Sequence, residues 1–226
     1  MSARQLLDQL LRSGQNLAQQ AAGRDTGQAG GSFLAGLGGG ALGAGALGLL
    51  LGSKKARKLG GKVAMYGGMA ALGALAYRAY GQWQENQARQ AQAAPPAAPR
   101  TLDRLPAPEA EAHSNAVLVA MIGAAKADGH IGPEERQLLE QELIRLSGDA
   151  ADRGWLEAEL AGPVDPAAVA RAARSPEMAA EMYLASVLVV DEESFMERAY
   201  LDELARQLKL APALKQQLEA QVAQLS

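Results

Sequence analysis

Two acidic segments in the second half of the chain carry side chains that suit cation binding. In each one an apolar run is followed by an Asp, a tight turn and a Glu six residues after the Asp: Asp128 with Glu134 and its neighbour Glu135, and Asp191 with Glu197. Carboxylate oxygens are the ligands that hard divalent cations prefer. If the two segments pack as pseudo-equivalents, these acids come together, and the pattern predicts a Ca²⁺ or Mg²⁺ site.

The same acids also fit a purely structural role. Negative charge is favourable at helix N-termini, and Ser194 with Glu197 has the spacing of a capping box. An EF-hand loop is disfavoured, because Gly129 directly follows Asp128, whereas that loop has acids at alternate positions before its Gly. From the residues alone, both interpretations stay open.

Enzymatic and zinc chemistry have little support in the sequence. The chain has no Cys, and its two His residues, His113 and His130, lack a His partner at helical spacing. Neither a phosphate-binding loop nor a nucleophile elbow is present. We therefore expect a protein that is not an enzyme. Binding to nucleic acid is not expected either, because residues 114–226 carry 10 Lys/Arg against 19 Asp/Glu, a net charge of −9.

The elements that must position the acids are short helices. Within 114–226, apolar residues recur at helical spacing, and helix starts are indicated at Pro133, Asp165-Pro166, Ser175-Pro176 and Pro212. The run 184–190 is rich in β-branched residues, but its flanks and length favour a buried central helix over a strand. The pattern predicts about seven short helices packed as an all-α bundle.

The acidic segments resemble a known family. Ala-Asp-Gly-His-Ile-Gly-Pro-Glu-Glu at 127–135, and its echo from Asp191 to Glu197 followed by Leu201, Leu204 and Ala205, are similar to the TerB-like domain associated with tellurite resistance. Together with the glycine-rich region before it, the chain resembles the YebE-type bacterial inner-membrane proteins over residues 30–83 and 114–226.

This resemblance carries its own expectations. It implies an all-helical domain that binds a divalent metal through Asp128, Glu134 or Glu135, Asp191 and Glu197. It also implies a role in envelope stress or in metal and oxyanion stress. One position departs from the family pattern, since Glu192 stands where the family has Gly.

Residues 26–83 are predicted to form a glycine-rich membrane-embedding hairpin. Residues 26–53 carry no charged side chain, and the stretch 33–52 has the length of about 20 apolar residues that spans a bilayer. A basic turn at 54–62 leads to a second uncharged run, 63–77. Glycines four apart allow close helix packing in lipid and predict homo-oligomers: Gly36 with Gly40, Gly39 with Gly43, and Gly48 with Gly52. A flexible linker and a soluble helical pair are the alternatives.

The two remaining segments complete the predicted domain organisation. Residues 1–25 contain Leu at helical spacing and predict an amphipathic helix, which packs on a partner or on a membrane surface. Residues 84–113 are rich in Ala, Gln and Pro and predict a disordered linker to the acidic domain, residues 114–226.

The sequence thus predicts an interaction module anchored in a bacterial inner membrane, with membrane lipid as one partner. Its protein partners stay open. The side of the membrane that holds the acidic domain stays open too, because the basic turn favours the cytoplasm while Arg residues beyond both ends of the hairpin dilute that bias. The alternative function is a metal-free protein–protein scaffold of the same membrane.

Overall fold

The computed structural model describes residues 3–5, 7, 8, 69–127, 150–190 and 195–224. These residues are helical or connect helices, and none of them lies in a strand. The prediction of an all-α fold is therefore confirmed. In chain order the helices are α1 (Met69–Gln90), α2 (Ala107–Ala125), α3 (Ala150–Ala161), α4 (Pro166–Ala170), α5 (Pro176–Val189), α6 (Phe195–Gln207) and α7 (Pro212–Ala223).

Helices α4 and α5 begin where the sequence indicates. The Asp165 carboxylate accepts a hydrogen bond of 2.9 Å from the Ala167 N–H, and Pro166 occupies the first turn of α4. At the start of α5, the Ser175 hydroxyl likewise accepts a hydrogen bond of 3.1 Å from the Met178 N–H. Side-chain caps satisfy amides that have no partner inside the helix, and each contributes about 1 kcal/mol.

Helix α5 is the centre of the bundle. Its residues from Met178 to Val189 are all buried, and α1, α2, α6 and α7 pack around it. Burying one large apolar side chain contributes roughly 1.5–3 kcal/mol, so this helix accounts for much of the hydrophobic stabilisation. The prediction of a buried central helix at 184–190 is confirmed.

Helix α1 joins the predicted hairpin to the bundle. Leu72, Ala76, Ala79 and Tyr80 are buried at helical spacing, and the helix packs against α5 and α7. The structure therefore differs from the prediction of a membrane leg at 63–77, because this face of the described part of that leg is covered by protein. The first leg of the hairpin, which contains all six of the glycines at four-residue spacing, lies outside the described residues.

The segment 84–113 also differs from the disordered linker predicted for it. Helix α1 continues to Gln90, because Gln and Ala are good helix formers. Helix α2 begins at Ala107 and accommodates Pro108 in its first turn, where no backbone donor is needed. Between the two helices, the Leu102 side chain is fully buried. Arg104 lies over the Tyr77 ring, 3.8 Å from its centroid.

A short piece of the N-terminal segment contacts the bundle. Residues 3–5, 7 and 8 are helical, and Leu7 is fully buried in the common core. The Ala3 N–H donates a hydrogen bond to the Glu111 carboxylate on α2. An amphipathic helix that packs on protein is thus observed for these residues, and the rest of the segment 1–25 lies outside the described residues.

Candidate functional site

Of the five predicted metal ligands, Glu197 alone falls within the described residues. It is half-buried in the first turn of α6 and already takes part in an interaction. Asp128, Glu134, Glu135 and Asp191 lie outside the described residues. Within the described part of the chain, no group of three or more His, Asp or Glu side chains could hold a metal ion.

The described helices nevertheless show where in the bundle the two acidic segments begin. Near the middle of the helix pair, His113 of α2 meets Glu181 of α5, with 2.6 Å between Nδ1 and Oε2. Further along both helices, the Ser186 hydroxyl donates a bond of 3.2 Å to the Ala120 carbonyl. Residue numbers rise together along the two helices, so α2 and α5 run parallel.

Parallel packing brings the C-terminal ends of α2 and α5 to one end of the bundle. The chain passes from α2 through the buried Ala127 into the first acidic segment, and from α5 through the buried Val190 into the second. At the same end, Lys126 donates hydrogen bonds of 2.8 and 2.5 Å to the Glu159 and Gly162 carbonyls, which ties α2 to the C-terminus of α3. Both acidic segments therefore start from the same face of the fold, which we name the acidic end.

The same pair of helices holds a buried ionisable cluster. The Glu181 side chain has no exposed surface, and the side chain of His113 is 8% exposed. Besides His113, the Glu181 carboxylate accepts a hydrogen bond from the Leu102 N–H, so it joins α5 to α2 and to the connection before α2. Burial raises the pKa of Glu181, although the bonds from His113 and from the Leu102 amide act to lower it.

Sequence reasoning considered His113 only as a zinc ligand and passed over Glu181. The available signal was a single charged residue, Glu181, inside the mostly apolar run 178–190, since a charged residue there must be paired when the helix is buried. The cluster joins three parts of the fold and is sealed from solvent. Its geometry favours positioning of the parallel helices over chemistry on a substrate.

A second buried polar group lies between α2, α4 and α6. The Tyr200 hydroxyl is buried and has no hydrogen-bond partner in the described structure. Burial raises the pKa of Tyr200 well above its usual value, and the nearby Asp165 raises it further. A Cβ atom added at Gly123 would lie 2.5 Å from this hydroxyl, so the Gly allows the tyrosine to pack directly against the α2 backbone.

The membrane prediction concerns residues that are mostly undescribed. Among the described helices, none combines the length with the apolar composition that a bilayer crossing requires. Helix α1 carries Arg78, Glu85 and Arg89 along its length.

Comparison with known proteins identifies the family. The family model described as "Protein of unknown function (DUF533)" matches residues 36–222, most of the chain. A Yersinia enterocolitica protein, "Uncharacterized protein in ampR 5'region", is 31% identical over 106 residues, which cover 47% of this chain and 76% of the relative. No solved structure matches the chain. The match of the family model over residues 36–222 shows that the chain belongs to the DUF533 family.

Proposed function

We propose that this chain is a membrane-attached, non-enzymatic interaction module whose helical bundle binds a divalent cation at its acidic end. One observation supports the proposal most directly: the parallel packing of α2 and α5 starts both acidic segments from the same face. The TerB-like resemblance adds the expectation of a role in envelope stress or in metal and oxyanion stress.

The donor set fits a hard cation. Asp128 follows the end of α2 and Asp191 follows the end of α5, while Glu197 lies in the first turn of α6. Carboxylates are the ligands that Ca²⁺ and Mg²⁺ take. Bound there, the cation would neutralise acids that otherwise repel one another and would tie α2, α5 and α6 together.

Membrane attachment is assigned to the residues before α1. Because α1 packs on α5 and α7, the part of the predicted hairpin that is left for lipid is its first leg and the basic turn. Residues 26–53 are uncharged, and the Lys and Arg residues of 54–62 suit anionic headgroups.

Cation binding is tested on the full-length protein in detergent micelles. We expect Ca²⁺ or Mg²⁺ to raise the melting temperature, because a ligand at 100 times its Kd stabilises the folded state by about 2.7 kcal/mol. Asp128→Asn with Asp191→Asn should abolish the shift, whereas Glu157→Gln on the exposed surface of α3 should retain it. An unchanged melting temperature at millimolar cation would remove the metal from the proposal and leave the metal-free scaffold.

Membrane attachment is tested separately by fractionation of cells. The full-length chain should remain in the membrane pellet after carbonate extraction, and a chain that lacks residues 26–62 should leave it. Protease protection of the bundle then decides its side of the membrane. Recovery of the intact chain in the soluble fraction would contradict this part of the proposal.

A further inference from the structure

A groove of about 580 Å³ lies at the N-terminal end of α5, on the opposite end of that helix from the acidic end. Tyr80 and Trp83 of α1 line it, as do Leu208 and Leu214 from the region where α6 passes into α7. The two aromatic rings contact each other, with centroids 5.4 Å apart. Tyr80, Leu208 and Leu214 are buried, so the half-buried Trp83 indole is the accessible apolar surface among these four residues.

The charged side chains that line the groove are all cations. Arg171 and Arg174 come from the connection between α4 and α5, and Lys209 comes from the connection between α6 and α7. All three are exposed, and none forms an ion pair with a described residue. The nearest acid in the sequence, Glu177, does not line the groove, but its carboxylate is near enough to raise, after burial, the pKa of Tyr80, which does. This positive surface stands out in a half of the chain whose net charge is −9.

The three cations, and not the amides at the start of α5, are the groups of this groove that suit an anionic ligand. Pro176 has no amide hydrogen, and Ser175 already accepts hydrogen bonds from the amides of Met178 and Ala179. Backbone donors at this helix start are thus largely used. Three cations on two separate connections match the charge of a ligand that carries several anionic groups.

We propose that this groove binds an acidic peptide segment of a partner protein. Its carboxylates pair with Arg171, Arg174 and Lys209, and an apolar side chain between them packs on the half-buried Trp83 indole. The inference rests on the proposed interaction module and names the class of its partner. The groove and the acidic end are separated by the 14 residues of α5, about 20 Å of helix, so each can be tested without the other.

The test uses the full-length protein in detergent and a fluorescein-labelled peptide of repeated Leu-Glu-Glu, with a Leu-Gln-Gln repeat as the neutral counterpart. Fluorescence anisotropy should show binding of the acidic peptide and weaker binding of the neutral one. The affinity should fall as salt is raised, because added salt shortens the distance over which exposed charges attract each other, which is about 8 Å at physiological ionic strength. In a Trp155→Phe background, emission from Trp83 should shift as the peptide binds.

Charge reversal locates the site. Arg171→Glu with Arg174→Glu should weaken binding roughly tenfold or more, which corresponds to about 1.4 kcal/mol. The matched control is Arg89→Glu with Arg198→Glu, which changes net charge equally at exposed positions outside the groove and should leave the affinity within about twofold. Circular dichroism of each variant verifies that the bundle is folded.

Lys209 provides a variant without a folding cost. Its backbone is left-handed, with φ of 55°, a conformation that Gly adopts more easily than Lys. Lys209→Gly should therefore keep the fold and still weaken peptide binding a few-fold. This variant keeps the inference testable if the double reversal fails to fold.

Two outcomes would overturn the inference. The first is equal peptide affinity for the wild type, the groove variants and the control. The second is the absence of peptide binding together with a preference for phosphatidylglycerol vesicles over phosphatidylcholine vesicles that the groove variants lose, which would assign the groove to lipid. A cation-dependent melting shift that persists in the groove variants leaves the proposed function standing in either case. Conversely, if the double variant Asp128→Asn with Asp191→Asn loses the cation response but still binds the peptide, the groove inference stands and the proposed cation site is tested on its own.

Discussion

Removal of the Glu181 carboxylate is expected to destabilise the bundle strongly. In Glu181→Ala, the Leu102 N–H and His113 Nδ1 lose their buried partner. A buried polar group left unsatisfied costs about 1–3 kcal/mol, and two such groups remain here, so together they cost about 2–6 kcal/mol. We therefore expect a decrease of about 2–6 kcal/mol in the free energy of unfolding. This is a large fraction of the 5–15 kcal/mol that is typical of a domain.

Glu181→Gln separates the charge from the hydrogen bonds. Its amide oxygen can still accept from the Leu102 N–H, so the expected cost is smaller, about 1–2 kcal/mol. Burial raises the pKa of Glu181 above its usual 4.5, so the folded chain keeps a proton that the unfolded chain has lost. The stability from Glu181 is complete below pH 4.5 and falls as pH rises through the folded pKa, by at most about 1.4 kcal/mol per pH unit.

The assay is urea unfolding of the full-length protein in detergent, followed by helical circular dichroism at a series of pH values from 4 to 8, about the span in which a raised carboxyl pKa acts. The free energy of unfolding of wild type minus that of Glu181→Gln should decrease as pH rises. His113 and Asp103, the other ionisable groups that act on Glu181, are present in both chains. Parallel pH profiles for the two chains, or a cost below about 1 kcal/mol for Glu181→Ala, would refute the reasoning. Glu85→Gln, at an exposed pair with Arg89, is the control and should change stability by less than about 0.5 kcal/mol.

Three further changes test the packing around the site. Gly123→Ala should cost about 1–3 kcal/mol, because the new Cβ meets Tyr200 Oη at 2.5 Å, and Tyr200→Phe should relieve part of that cost in a double-mutant cycle. Ser175→Ala should lower the melting temperature by the loss of about 1 kcal/mol, since the Met178 N–H loses its cap. Leu102→Ala should cost about 2–5 kcal/mol in urea unfolding if the connection before α2 is packed as observed. A cost near zero would instead indicate a loose connection.

The sequence predicted the helices of the second half well because their start signals are local. Asp165 and Ser175, each followed by Pro, fix the starts of α4 and α5 through bonds made within three residues. The start of α2, at Ala107, instead falls inside the segment 84–113, for which the sequence predicted a disordered linker. Proline was interpreted there as a linker residue, although it is equally at home in the first turn of a helix.

The candidate site was less accessible to sequence reasoning, because it depends on contacts between distant residues. Glu181 and His113 are 68 positions apart, and no local pattern indicates that they meet. The groove cations come from two connections, one between α4 and α5 and the other between α6 and α7, and only the packing of the bundle brings these connections together. The five acids of the predicted metal site were found by their spacing, and their assembly stays a prediction.

The small residues of α1 show what a sequence pattern can and cannot decide. Small residues at helical spacing indicate that another backbone approaches closely, and this approach occurs at Gly73, where an added Cβ would lie 2.8 Å from the Asp103 amide nitrogen. The pattern does not specify the surrounding medium, since a close approach excludes lipid and water alike. What decides the medium is whether a matching apolar surface exists elsewhere in the chain. For α1 that surface is α5 with α7, which cover Leu72 and Ala76. The stretch 33–52 lies outside the described residues, and lipid is proposed as its solvent because its 20 residues carry no charge and have the length of a bilayer span.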